Sequence, residues 1–160
     1  MPSVICNTSP LLYLYRIECI GWLPRLFAEV WIPEAVQDEL QIGINKGYSV
    51  PWPADYGWLR VVNPAFTPSE WLASDLGAGE IAVIALALEH PDRIVLLDDA
   101  LARRIARKAG LQVWGTLKVL LEAKSNGLIE RVEPYVGKLA SAGMWLSADI
   151  KARILRLAGE

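Results

Sequence analysis

The chain has few of the residues that most often carry acid–base and zinc chemistry. Its 160 residues include one histidine, His90, and two cysteines, Cys6 and Cys19. Two cysteines in apolar segments form neither a disulfide framework nor a zinc-spaced set, and such thiols usually pack as small apolar groups. The composition therefore argues against histidine-based general acid–base catalysis and predicts that both cysteines belong to the core.

Long apolar runs and a strong net charge are also missing. No apolar run approaches the ~20 residues of a membrane-spanning helix, and the first segment lacks the basic start of a signal peptide. The net charge is −2, so a polyanion would need a local basic patch. We expect a cytoplasmic globular protein without a membrane partner, folded as one domain over residues 1–160 with a C-terminal helical extension at about 134–160.

Strand-like and helix-like segments alternate along the chain, which predicts an α/β fold with a mostly parallel sheet. The predicted strands are residues 3–6, 30–32, 58–62, 94–97 and 112–114. The predicted helices are residues 11–17, 22–28, 33–44, a short segment near Glu70, 77–89, 100–109, 116–125 and two short segments near the C-terminus. Ser9 and Thr116 are predicted to cap the helices that follow them.

Two predicted strands end in oxygen-bearing side chains. Strand 94–97 runs into Asp98 and Asp99, and strand 3–6 runs into Asn7. Open parallel sheets bind ligands at the carboxyl ends of their strands, and carboxylate and amide oxygens suit hard cations. Capping of the next helix explains Asp99 alone and leaves Asp98 without a structural purpose. These residues therefore predict a cation site at this edge of the sheet.

Two further carboxylates are candidates for the same edge. Glu39 lies beside the apolar stripe of helix 33–44, whereas Asp38 points toward solvent. Glu80 lies after two glycines, in the first turn of a helix that is apolar almost all round. Complementing the helix N-terminus and binding a metal explain Glu80 equally well.

Helix 100–109 separates its apolar residues from its charged ones. The charged face holds Arg103, Arg104, Arg107 and Lys108. A solvated face is the commoner meaning of such charges, but this face begins beside the acidic pair, where a phosphate backbone would need positive charge. These four residues are therefore candidate contacts of a nucleic acid.

Five segments, taken in order, resemble the PIN-domain superfamily, and most closely a prokaryotic PIN-like, VapC-toxin-like family. The segments are Asn7-Thr8-Ser9-Pro10, residues 32–40, residues 76–80, residues 96–103 and Gly115-Thr116-Leu117. The resemblance runs from about residue 3 to residue 150. It implies a three-layer PIN-like fold in which a central sheet of strand order 3-2-1-4-5 is flanked by helices and carries an acidic pocket at its carboxyl edge.

The resemblance also implies an activity, which is metal-dependent hydrolysis of RNA. The implied ligands of Mg²⁺ or Mn²⁺ are Asn7 and the four catalytic carboxylates, Glu39, Glu80, Asp98 and Asp99. Such ions activate water and stabilise the leaving oxygen without any histidine. Ser9 and Thr116 would position phosphate or water. The implied partners are an RNA substrate and, for a toxin, a small antitoxin protein.

Asn7 departs from the family pattern, since most active PIN nucleases have aspartate there. An amide oxygen brings no negative charge, so the affinity for a cation should fall. Two interpretations therefore stay open: a ribonuclease of the toxin type, and a weakened PIN-like module that binds RNA or a protein without cleaving. A phospho-acceptor receiver domain is disfavoured, because the paired aspartates come late in the chain. Which of Asp98 and Asp99 is the principal ligand also stays open.

Two apolar features have two explanations each. Trp52 and Trp58, in and beside a loop rich in glycine and proline, fit the core better than a docking surface for a partner. Ile150, Ile154 and Leu157 form a stripe on the last helix that serves either a homodimer or packing on its own domain.

Overall fold

The fold is built on a five-stranded parallel sheet. In the computed structural model, which describes residues 1–67 and 75–160, the strands are β1 (Val4–Cys6), β2 (Val30–Ile32), β3 (Leu59–Val61), β4 (Ile94–Leu96) and β5 (Val113–Trp114). Their order is β3-β2-β1-β4-β5, and every neighbouring pair is parallel. The predicted α/β class and strand order are confirmed.

Helices flank this sheet along the chain. Within the described ranges they are α1 (Thr8–Arg16), α2 (Leu23–Leu26), α3 (Glu34–Asn45), α4 (Ala78–Glu89), α5 (Ala100–Lys108), α6 (Thr116–Ser125), α7 (Glu133–Ser141) and α8 (Ala148–Leu157). The short helix predicted near Glu70 lies outside the described residues. Of the helices described, none combines the length and apolarity that a membrane span requires.

The core lies around the central strands. Every residue of β1, β2 and β4 is buried, as the near-continuous apolar runs of parallel strands require. Helix α4 is buried along most of its length, which confirms the prediction from its apolar sequence. Cys6 and Cys19 are buried and free, as predicted, and desolvation raises the pKa of Cys19 to about 11.

The prediction that Ser9 caps the first helix is wrong. Helix α1 begins at Thr8, directly after β1, and Asn7 occupies the N-cap position with an extended backbone. Ser9 and Pro10 therefore lie inside the first turn. Proline is tolerated there because the first N–H groups of a helix have no intrahelical partner.

The two apolar features with open explanations are now placed. Trp58 packs against the core, and Trp52 is half-buried. On α8, Ile154 is buried, but Ile150 and Leu157 are exposed. The stripe on α8 therefore contributes one side chain to its own domain and presents two to solvent.

The end of α8 is tied to the start of α7. The Glu160 carboxylate accepts hydrogen bonds from the Val132 N–H (2.7 Å) and from the Lys124 ammonium (2.9 Å). The Val132 bond is the main reason why the pKa of Glu160 falls to about 2. This carboxylate therefore fixes the C-terminal helix to the rest of the fold at neutral pH.

Candidate metal centre

The carboxyl ends of β1 and β4 meet at one edge of the sheet. The two strands are neighbours, and the Asn7 N–H donates to the Leu96 carbonyl (3.0 Å) just beyond β1. Helices α3 and α4 pack against each other and against this region. Together they enclose a pocket of about 340 Å³. The pocket is lined by Asn7, Thr8, Ser9, Glu39, Glu80 and Asp99.

Asn7 presents an unsatisfied oxygen in this region. Its side chain is 5% exposed, and Asn7 Oδ1 is buried without a hydrogen-bond partner. An N-cap asparagine usually accepts a hydrogen bond from the first turn of its helix, but Asn7 makes none. A buried unpaired acceptor costs about 1–3 kcal/mol. The oxygen is therefore available to a donor or to a cation.

Glu39 reaches the pocket from α3. Val36 and Leu40 are buried, Asp38 is exposed and Glu39 is half-buried between them, as the helical periodicity predicted. The Thr8 hydroxyl donates to Glu39 Oε1 and fixes its direction. Sequence reasoning missed the contribution of Thr8, because this hydrogen bond joins residues 31 positions apart.

Gly79 allows the pocket to close around these groups. A Cβ atom at this position would overlap Glu39 Oε1 and would lie 3.1 Å from Asn7 Oδ1. The φ angle of Gly79 is not positive, so its backbone conformation does not itself require glycine. The missing side chain therefore serves the approach of Glu39 and Asn7 rather than the backbone conformation of α4.

We expect Gly79→Ala to weaken cation binding at least about tenfold, because the new methyl group displaces Glu39 from Asn7 and misplaced ligand support typically costs 10–100-fold in metal affinity. Calorimetric titration with Mn²⁺ measures this change. Gly137→Ala on α7, where a Cβ meets no atom within 4 Å, is the matched control. Equal Mn²⁺ affinity in Gly79→Ala and wild type would contradict the role given to this glycine.

Glu80 lies at the third position of α4. Its Oε1 accepts from the Gly77 N–H (2.9 Å), so the capping role considered from the sequence is present. Burial raises the pKa of Glu80, the Gly77 bond lowers it, and the nearby charges of Asp99 and Glu39 raise it further. A cation in the pocket would oppose this repulsion and favour the charged form of Glu80.

Asp99 has two contacts at the start of α5. It is the N-cap of that helix, and its Oδ2 accepts from the Ala102 N–H (2.9 Å). The same side chain lines the pocket beside Glu80. Asp99 is therefore the member of the acidic pair that faces Asn7 and Glu39.

Asp98 is turned toward α6 instead of lining this pocket. It accepts from the Thr116 N–H (2.8 Å) and from the Thr116 hydroxyl (2.7 Å). Burial raises the pKa of Asp98, while the Thr116 bonds and the charge of Arg103 lower it. The N-cap of α6 is Gly115, so the prediction that Thr116 caps this helix is wrong. Asp98 thus has a structural purpose that the sequence did not reveal.

The predicted basic face of α5 divides into two pairs. Arg103 and Arg107 line a groove beside β5, whereas Arg104 and Lys108 lie outside the lining of this groove. Ser9 is exposed at the pocket, and Thr116 is fully buried against Asp98.

The pocket contains several acceptor oxygens, but they do not form a complete set of metal ligands. Within residues 1–67 and 75–160, no three Asp, Glu, His or Cys side chains are close enough together to hold a metal. Glu80 and Asp99 each direct one oxygen to a helix N-terminus, and Asp98 is held by Thr116. A cation here would need the Asn7 amide oxygen and small rotations of the carboxylates.

Comparisons with known proteins agree with this architecture. Residues 3–160 match the family DUF3368, described as a PIN domain. A solved PilT N-terminus domain protein from the hyperthermophilic archaeon Sulfolobus solfataricus P2 shares the fold with a TM-score of 0.56 and 17% identity over 75% of this chain and 92% of that chain. No curated protein matches. PIN domains are typically nucleases and generally use divalent metals. The chain therefore belongs to the PIN-domain superfamily, in the family DUF3368.

Proposed function

We propose that the protein is a metal-dependent ribonuclease whose active site is the pocket of Asn7, Glu39, Glu80 and Asp99. The observation that carries the proposal is the buried Asn7 Oδ1, which has no hydrogen-bond partner and lies beside Glu39 across Gly79. An amide oxygen among carboxylates fits a hard cation such as Mg²⁺ or Mn²⁺. When bound, the ion would supply an activated water and stabilise the charge that develops during phosphodiester hydrolysis.

The residues around these ligands then have separate tasks. Thr8 orients Glu39 through its hydroxyl. Ser9 is exposed at the pocket and is available to position phosphate or water. Asp98 and Thr116 bind each other, so we assign them the attachment of α6 to the end of β4 rather than contact with the substrate. In this proposal, the attachment of α6 takes the place of the phosphate contact predicted for Thr116.

A second candidate function is binding of RNA or a protein without cleavage. It is favoured by the neutral side chain of Asn7 and by the lack, in the described residues, of three ionisable ligands close enough to hold a metal. Both features predict weak metal affinity. The toxin role, the antitoxin partner and a homodimer are supported only by the resemblance and stay predictions.

Cleavage of an end-labelled single-stranded RNA in Mn²⁺, Mg²⁺ or EDTA tests the proposed function. We expect cleavage with either metal and none in EDTA. Glu39→Gln should lower the rate about 100-fold or more, since it removes a charged ligand. Asp38→Asn, on the same helix but exposed, is the matched control and should cleave like wild type.

Two results would contradict the proposal. The first is cleavage that persists in EDTA or in Glu39→Gln. The second is RNA binding without cleavage at any metal concentration, which would favour the second candidate function.

A further inference from the structure

A basic groove runs beside β5, between α5 and α8. It consists of two adjoining cavities of about 700 and 350 Å³. The cavities share the lining residues Arg103, Gly115, Leu117, Lys118 and Ile150. The smaller cavity reaches Asp98, whose chain neighbour Asp99 lines the acidic pocket. The groove therefore approaches the proposed active site from the β5 side.

Positive charge is concentrated on the helices that flank the basic groove, although the chain as a whole has a net charge of −2. Half of the 16 Lys and Arg residues lie on α5, on α8 or at position 118. These eight are Arg103, Arg104, Arg107, Lys108, Lys118, Lys151, Arg153 and Arg156, of which Arg103, Arg107, Lys118 and Arg153 line the groove. Helices α5 and α8 contain one carboxylate between them, Asp149. This surface is therefore suited to a polyanion.

Three of the groove cations form no salt bridge within the described residues. Lys118 is paired with Glu122 (2.7 Å), but no carboxylate of the described residues lies within 4.0 Å of Arg103, Arg107 or Arg153. Arg103 Nε is buried without a hydrogen-bond partner. Burial and the neighbouring charge of Arg107 lower the pKa of Arg103, and the charge of Asp98 offsets only part of this effect. An anion bound between these guanidinium groups would relieve both the unpaired donor and the repulsion.

The basic groove also presents an aromatic surface. Trp145, between α7 and α8, lines the smaller cavity and is 81% exposed. Leu117 and the exposed Ile150 lie in the same cavity. Exposed indole rings beside cations are the stacking platforms of single-strand binding proteins, because every unpaired base offers a π-face. A duplex keeps its base faces stacked inside, so it cannot use Trp145 in this way.

We propose that the basic groove binds single-stranded RNA, with a base stacked on Trp145 and backbone phosphates on Arg103, Arg107 and Arg153. The inference rests on the proposed function, because the bound strand would continue past Asp98 toward the acidic pocket. An acidic protein segment would match the charges equally well. The exposed indole, and the position of Asp98 in the groove next to Asp99 of the pocket, favour RNA.

Binding of a fluorescein-labelled single-stranded RNA, measured by anisotropy in EDTA, tests the groove separately from hydrolysis. We expect the single strand to bind more tightly than the same sequence annealed to its complement. Trp145→Ala should weaken binding of the single strand about tenfold. Arg153→Gln should weaken it and reduce the salt slope by about 0.7, the loss of one phosphate contact. Lys151→Gln, on α8 but outside the groove lining, is the matched control and should bind like wild type.

Three results would overturn the proposal. The first is an RNA affinity that is unchanged in both Trp145→Ala and Arg153→Gln. The second is equal affinity for the single strand and the duplex. The third is displacement of RNA by poly-L-glutamate, with an affinity for poly-L-glutamate that Trp145→Ala leaves unchanged. The last result would identify a surface for an acidic protein. Normal RNA binding in EDTA without cleavage in Mn²⁺ would support the groove and contradict only the proposed hydrolysis.

Discussion

Asp99→Asn is expected to lower metal-dependent RNA cleavage about 100-fold or more while the melting temperature in EDTA stays close to that of wild type. Asparagine caps a helix as well as aspartate does, so the bond from the Ala102 N–H is retained. The negative charge that would bind the cation is lost. Cleavage rates in Mn²⁺ and thermal unfolding in EDTA measure the two effects separately.

Asp98→Ala provides the opposite pattern and serves as the control. It leaves the N–H and hydroxyl of Thr116 without their acceptor, and an unsatisfied buried group costs about 1–3 kcal/mol. For a chain of this size, each kcal/mol lowers the melting temperature by roughly 2–4 °C. The folded variant should keep most of its Mn²⁺ affinity. Full cleavage by Asp99→Asn together with lost metal binding by Asp98→Ala would reverse the roles assigned to the pair.

Asn7→Asp is expected to strengthen Mn²⁺ binding at least about tenfold, because the charge of the ligand set tunes cation affinity over orders of magnitude. Cleavage at low metal concentration should rise with it. Without metal, the same change places a buried charge beside Glu39 and should cost about 2 kcal/mol or more. Calorimetry with Mn²⁺ and thermal unfolding with and without the metal measure both effects.

Asn7→Ala distinguishes the effect of a negative charge at this position from the effect of the side-chain oxygen as a ligand. The Asn7 side-chain oxygen has no partner, so its removal should change the metal-free stability little while weakening Mn²⁺ binding. Equal Mn²⁺ affinities for wild type, Asn7→Asp and Asn7→Ala would show that this residue is not a ligand.

The sheet and the placement of Glu39 were predictable because they depend on local patterns. Strands that are buried on both faces of a sheet consist of short apolar runs, which can be recognised in the sequence. The resemblance to the PIN-domain superfamily implied the order of these strands. Helical periodicity separates Glu39 from Asp38, since consecutive positions point to different sides of α3. For such residues, the neighbouring residues in the sequence are enough to predict whether the side chain is buried.

The division between Asp98 and Asp99 was not predictable in this way. Both follow β4 at the point where neither strand nor helix periodicity applies, and Asp98 is held by Thr116, 18 positions further on. The N-caps predicted at Ser9 and Thr116 were wrong because each helix begins directly after a strand. The N-cap residue therefore lies one or two positions earlier than predicted. A long-range hydrogen bond decides which aspartate faces the pocket.

Only part of the basic groove could be predicted from the sequence, for the same reason. Arg103 and Arg107 lie on one helix, and their charge pattern indicated a nucleic-acid contact. Trp145 and Arg153 come from the segment after α7 and from α8, and only tertiary packing brings them beside α5 and β5. The spacing of residues along the sequence does not indicate that such distant elements pack together.

Titration calorimetry with Mn²⁺ at neutral pH, on wild type beside Asp99→Asn and Asp98→Ala, tests the central claim most directly. We predict saturable binding by wild type, loss of binding in Asp99→Asn and retained binding in folded Asp98→Ala. Absence of saturable binding by wild type up to millimolar Mn²⁺, or equal binding by Asp99→Asn, would contradict a metal centre at Asn7, Glu39, Glu80 and Asp99.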